Sequence, residues 1–200
     1  MRQTSLTTLF KNHAIELQKN INTSIPGSVI AFNSTTQLAQ IQIGVKTVLA
    51  TGENVEIAPL IECPVCFQGG KDFTLEFQID KGCEGIIIFS QRSIEDWMNE
   101  GGISNQNIFR FHDINDAMFI PGIRSNPNVI NNFSNDGIRI RNNDSTSYFW
   151  LKKDGTAEIK ATTINIDGTI INNGTDITNH THSQANDSAG NTEQNTGGMI

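Results

Sequence analysis

Charge and aromatic rings are both scarce in this chain. Asp, Glu, Lys and Arg make up 18% of its 200 residues, and aromatic residues only 7%, with a single tyrosine. The net charge is −7 and no Lys/Arg cluster interrupts it. The basic face of a general nucleic-acid binder is therefore missing, and no nucleic-acid partner is expected. Long apolar runs are absent as well. No stretch approaches a membrane span, and Met1 to Phe10 lacks the apolar core of a secretion signal, so synthesis in the cytosol without a secretion address is expected. Cysteine is rare: Cys63, Cys66 and Cys83. An odd count in an unsecreted chain argues against a disulfide framework. Cys63-Pro-Val-Cys66 has the spacing of half a zinc site, but no second half follows, and buried free thiols are the expectation. A redox Cys-x-x-Cys opens a helix after a strand, whereas here a Gly69-Gly70 turn follows.

Ile and Phe recur through the first two thirds, which excludes simple disorder. Residues 5–21 place Leu6, Leu9, Phe10, His13, Leu17 and Ile21 at helical spacing. This predicts a short amphipathic helix packed on its own domain or a neighbouring chain, with His13 a packed histidine. Pro26-Gly27 then breaks the chain. Strand-like runs follow at 28–33, 38–45, 55–57, 73–79 and 85–90, with clear alternation in Ala39-Gln-Ile-Gln-Ile43 and Phe73-Thr-Leu-Glu-Phe-Gln-Ile79. Five short strands with turn signals at this spacing fit a small closed barrel of OB type. Ser93-Ile-Glu-Asp96 reads as a helix N-cap with an acidic first turn, and Gly101-Gly102 as its stop. Phe109 to Asp113 and Ala117 to Ile120 return to the core. Phe89, Trp97, Phe109 and Phe111 are expected in that core or in contacts between copies.

From Asn126 the texture changes. Asn, Asp, Ser and Thr rise and large apolar residues thin out. Ile138-Arg-Ile-Arg141 alternates, Tyr148 to Leu151 forms one aromatic patch, Lys153-Asp-Gly155 is a turn, and Thr156 to Ile166 reads as strand. Such a segment cannot bury enough surface alone. Three chains wound together can, and they also remove exposed strand edges. The expected class is all-β: an N-terminal OB-type barrel, then a trimeric intertwined β-helix shaft with a metal-bound tip. The boundaries are an N-terminal helix over 1–24, the OB collar domain over 25–124, the shaft over 125–178 and the tip over 179–200.

The tip rests on His180-Thr-His182, with 18 residues after it. Side chains at i and i+2 of an extended strand point to the same side, so both imidazoles can face one point. Two histidines from each of three chains make six nitrogen donors. Six donors favour an octahedral ion such as Fe(II) or Ni(II) over four-coordinate zinc. The plainer reading is a solvated pair in a polar tail.

Two blocks resemble a known family. The first is Phe89-Ser-Gln-Arg92-Ser-Ile-Glu-Asp96-Trp97, Gly101-Gly102, Arg110-Phe-His112-Asp113-Ile-Asn-Asp116-Ala117 and Ile120-Pro121-Gly122. The second runs from Ile164-Asn-Ile-Asp-Gly168 through His180-Thr-His182 to Gly197-Gly198. Together they resemble the membrane-piercing spike proteins of contractile-tailed bacteriophages, related to baseplate assembly protein V. The resemblance implies a homotrimeric virion protein, made in the host cytoplasm and mounted on the tail tube and baseplate hub. It implies OB domains in a collar, a three-sided β-helix, and one iron ion per trimer held by His180 and His182 of each chain. The partner at work is the host outer membrane, met transiently and mechanically.

Two other classes compete. His-x-His occurs in cupins and metal-dependent hydrolases, but no further histidine follows His182 and no carboxylate pair sits in a pocket-forming setting. Enzymatic activity is not expected. The alternative is a trimeric tail fibre or adhesin whose Tyr148–Trp150 cluster stacks on a host glycan.

Overall fold

The alternating run Ala39-Gln-Ile-Gln-Ile43 is a half-buried strand, with Ala39, Ile41 and Ile43 all in the core. It anchors the first of two units. The computed structural model describes residues 5–177, and the chain divides into Met1–Val129 and Ile130–Ile200. The first unit opens with helix α1 (Leu6–Asn20). Strands β1 (Ser24–Asn33), β2 (Leu38–Ile43), β3 (Thr47–Val48), β4 (Asn54–Val55), β5 (Leu60–Pro64) and β6 (Glu84–Phe89) follow. Helix α2 (Glu95–Glu100) and strand β7 (Ala117–Pro121) complete it.

Five of these strands form one curled antiparallel sheet, a half-barrel in the order β5-β2-β1-β6-β7. Its edges come back together at a parallel bridge between Val65 and Phe119, where the Cys66 amide donates to the Phe119 carbonyl at 2.8 Å. The curl needs glycine where β1 crosses β6. Gly27 and Gly85 are direct partners there. A Cβ on Gly27 would lie 2.6 Å from the Ile87 Cδ1, and one on Gly85 2.6 Å from the Phe119 ring. Only a missing side chain lets the sheet bend over that ring. Phe119, Ile41, Ile87 and Val29 fill the concave side, with Leu60, Cys63, Val65 and Ile79 around them.

Several expectations are corrected. Pro26-Gly27 does not break the chain but lies inside β1, where the Pro26 carbonyl accepts from the Gly44 amide. Residues 73–79 are not a strand. Both edges of the half-barrel are already engaged, and this segment is held by a Gly69–Thr74 bridge, by the Gly70 amide on the Phe73 carbonyl and the Leu75 amide on the Gln68 carbonyl, and by Ile79 in the core. Phe109 to Asp113 does not return to the core, for Phe109 and Phe111 are exposed. Helix α1 is capped by Ser5 and buries nothing, so its apolar stripe and His13 are exposed and it does not pack on its own domain. Burial holds fully for Cys63 alone, whose thiol desolvation pushes up to about 12. Cys66 is exposed, because it alternates with Val65 and Phe67, whose side chains turn to the core.

The second unit contains β8 (Ile138–Arg141), β9 (Tyr148–Leu151) and β10 (Ala157–Lys160), then a small β11 (Ile171–Asn172)/β12 (Thr175–Asp176) hairpin. No β-helix is seen among the described residues. Instead β8, β9 and β10 make an antiparallel meander, because Asn142–Ser147 and Lys152–Thr156 are tight turns that fold each strand back on its predecessor. The strand expected over 156–166 ends at Lys160. Among the described residues no helix is long and apolar enough to cross a membrane.

Candidate functional site

His180 and His182 lie outside the described residues. Among those described, no three His, Cys, Asp or Glu side chains gather as a metal site. Two other features stand out. One is a locked loop in the first unit, the other a two-faced sheet in the second.

The loop spans residues 90–116 and carries α2. Asp116 is 1% exposed, and three groups converge on its carboxylate. Arg110 Nε donates to Oδ2 at 3.0 Å, Arg110 Nη2 to Oδ1 at 3.0 Å, and the Ile94 amide to Oδ1 at 3.0 Å. Arg110 Nη2 also reaches Ser93 Oγ at 3.1 Å and pairs with Glu95 at 3.4 Å. Burial works to raise the Asp116 carboxyl, but the Arg110 and Ile94 hydrogen bonds overcome it and hold it below its ordinary value. The pair ties the start of α2 to the start of β7. Helix α2 itself begins at Glu95, one residue later than a Ser93 N-cap implies, and ends at Gly101 with φ +69°.

The lock holds Trp97, Ile103, Phe109 and Phe111 out toward solvent rather than in the core. Of Phe89, Trp97, Phe109 and Phe111, expected in the core or in contacts between copies, only Phe89 packs against the core. Trp97 is 49% exposed, so Trp97→Ala is expected to change the stability of the chain by little more than about 0.5 kcal/mol, the range of surface substitutions. A urea midpoint lowered as for a lost core ring would contradict this.

The sheet in the second unit has two unlike faces. Antiparallel register aligns Ile138, Leu151 and Ala157 in one row and Ile140, Phe149 and Ile159 in another. Directly paired residues share a face, so these six form one apolar surface. Its large side chains are 47–73% exposed. The opposite face aligns Arg139, Trp150 and Glu158, then Arg141, Tyr148 and Lys160. There the Arg139 guanidinium lies 4.9 Å and the Lys152 ammonium 4.6 Å from the Trp150 ring, and the indole N–H donates to the Asp136 carbonyl at 2.8 Å. Tyr148 donates to Glu158, and Lys152 pairs with Glu158 at 2.6 Å. Hydrogen bonds from Lys152 and then Tyr148 hold the Glu158 carboxyl low, while its acceptance of the phenol proton pushes Tyr148 up. The polar face thus satisfies most of its groups within one chain, Arg141 Nη1 being an exception, and among the described residues nothing covers the apolar face.

Sequence reading found Ile138-Arg-Ile-Arg141 and the aromatic patch but did not join them into one surface. Part of the signal was present: period-2 alternation in Ile138–Arg141 and Ala157–Lys160 on either side of the aromatic run, with the turn at Lys153-Asp-Gly155 between the last two segments. The Arg110–Asp116 lock left no such trace, because residues six apart in an irregular loop share no periodicity.

Residues 25–122 match the family model described as phage protein Gp138 N-terminal domain. The match spans the half-barrel from β1 to the end of β7. No curated protein matches the chain.

Proposed function

We propose that this phage protein, whose residues 25–122 match a Gp138 N-terminal domain, is a structural spike that pierces the host cell envelope at the end of a contractile tail. The observation that carries the reading is the uncovered apolar face of β8–β9–β10. Five large side chains at 47–73% exposure are a poor end state for a virion surface and a good one for a face that meets copies of itself. The strand order of the half-barrel, with its parallel Val65–Phe119 bridge, supports an OB-type collar domain. Three copies joined through the apolar faces of their second units make a stiff shaft. Tail contraction supplies the work. The spike has only to resist bending and unravelling, so its role is mechanical and not catalytic.

The tip follows from the donor set of His180 and His182. Six neutral imidazoles from three chains suit one octahedral iron, which would clamp chain ends that carry few apolar residues. Acid should release the metal as the imidazoles protonate. Elemental analysis of the untagged protein should find about one iron per three chains, and none in the His180→Ala/His182→Ala variant, which still trimerises through the shaft. A metal-free wild type purified without chelator would overturn the clamp.

The adhesin reading gains no support from the aromatic cluster, since Arg139 and Lys152 already occupy the Trp150 ring. The function is tested on virions. Antibody against residues 25–122 should label the distal end of the tail, and purified protein should not bind intact host cells. Label on the capsid, or saturable cell binding, would replace the spike with another role.

A further inference from the structure

The meander leaves more than a face unpartnered. Among the described residues no strand pairs with the outer edge of β8 or of β10. Both edges present ladder groups that solvent or another chain must satisfy. The two strands run in the same direction, since each is antiparallel to β9. A three-fold axis along the strands therefore brings β8 of one copy beside β10 of the next as a parallel pair.

We propose that three copies of this chain close their meanders edge to edge into one nine-stranded β-barrel, with β8 of each copy hydrogen-bonded to β10 of its neighbour. This rests on the trimeric reading above and specifies how the copies join: by adjacent sheets rather than by intertwined strands. Three copies supply nine strands, and eight strands already enclose an interior that side chains just fill. Two copies, with six strands, leave too little room for Phe149 and its neighbours. Four copies, with twelve, leave a lumen these side chains cannot fill.

Register follows from which side chains meet across the new edge. In the unshifted register Ile140 lies beside Ile159 of the next copy. That register would close each row of the apolar face on itself with no stagger, whereas a closed barrel needs tilted strands and a staggered register. A stagger of an even number of residues keeps the apolar face inside. Two residues in one sense set Arg141 beside Glu158 of the next copy and Ile140 beside Ala157, with Asn142 beside Ile159 at the end of the strand. Two in the other sense set Arg139 against Lys160, a like-charge contact, so the first sense holds.

Cysteine pairing tests this on the full-length chain with Cys66→Ser as background. Within one chain β9 separates residues 141 and 158 by at least two strand spacings, ~9.6 Å, too far for a disulfide. Arg141→Cys/Glu158→Cys should therefore yield a covalent trimer on oxidation, while either single variant stops at dimer. Arg139→Cys/Thr156→Cys should do the same, and covers the case in which losing Glu158 unsettles the fold. Covalent trimer from Arg139→Cys/Glu158→Cys or from Arg139→Cys/Lys160→Cys in preference to both would overturn the register. Monomeric bands from every pair, in protein that light scattering finds trimeric, would overturn edge closure and leave the spike reading standing. Monomeric bands from protein that scatters as a monomer would defeat both.

Discussion

Arg110→Ala is expected to destabilise the first unit by about 2–4 kcal/mol at neutral pH. Breaking a fully buried ion pair from one side costs about 3–5 kcal/mol, because the remaining charge stays buried and unpaired. The lower figure applies here because Arg110 keeps a 27% exposed side chain, so water can reach the site. The pH dependence has a definite sign. In the wild type the Asp116 carboxyl is held below its ordinary value, so its contribution is present above that value, about 3.9, and is lost as pH falls through the folded one. Without Arg110, burial dominates and the carboxyl rises instead. The variant's deficit should therefore be largest at pH 7 and shrink on acidification through the carboxylate range. Urea unfolding at neutral pH and near pH 4 reads both effects. A deficit below about 1 kcal/mol at pH 7, or one that grows in acid, would mean that the pair does not hold the loop.

Phe149→Asp is expected to turn the assembly into single chains. Phe149 sits at the centre of the apolar face and is 50% exposed in one copy, so the substitution leaves the meander itself largely intact. Each large apolar side chain buried between copies contributes about 1.5–3 kcal/mol. One carboxylate per copy on the axis replaces that gain with an unpaired buried charge, which costs several kcal/mol per ion. Sedimentation should give the mass of one chain for the variant, with its far-ultraviolet dichroism kept. An unchanged oligomer would mean that this face is not the interface.

The sequence made the half-barrel legible where burial was one-sided. Ala39, Ile41 and Ile43 alternate with glutamines, and that period alone places the strand and its inner face. It misled at Phe73 to Ile79, which alternates equally well, because a strand also needs a free edge to pair with and both edges of the sheet are taken. Of its two expectations for Trp97, Phe109 and Phe111, core or contacts between copies, the core one fails for a different reason. Hydrophobicity favours burial, but the Arg110–Asp116 lock sets the loop's path and leaves these rings outside. In the second unit composition led to the expectation that such a segment needs company. The strand arrangement was not readable, since it depends on turns such as Asn142–Ser147, where the Asn142 carboxamide accepts from the Ser147 amide and Asp144 caps Thr146. His180 and His182 were singled out by spacing and position and lie outside the described residues.

The central claim is that the apolar face of β8–β9–β10 exists to join three copies of the chain. Light scattering coupled to size exclusion, on full-length untagged protein at micromolar concentration, tests it most directly. The expected result is a mass of three times 22.0 kDa that persists on dilution. A mass of 22.0 kDa under the same conditions would contradict it.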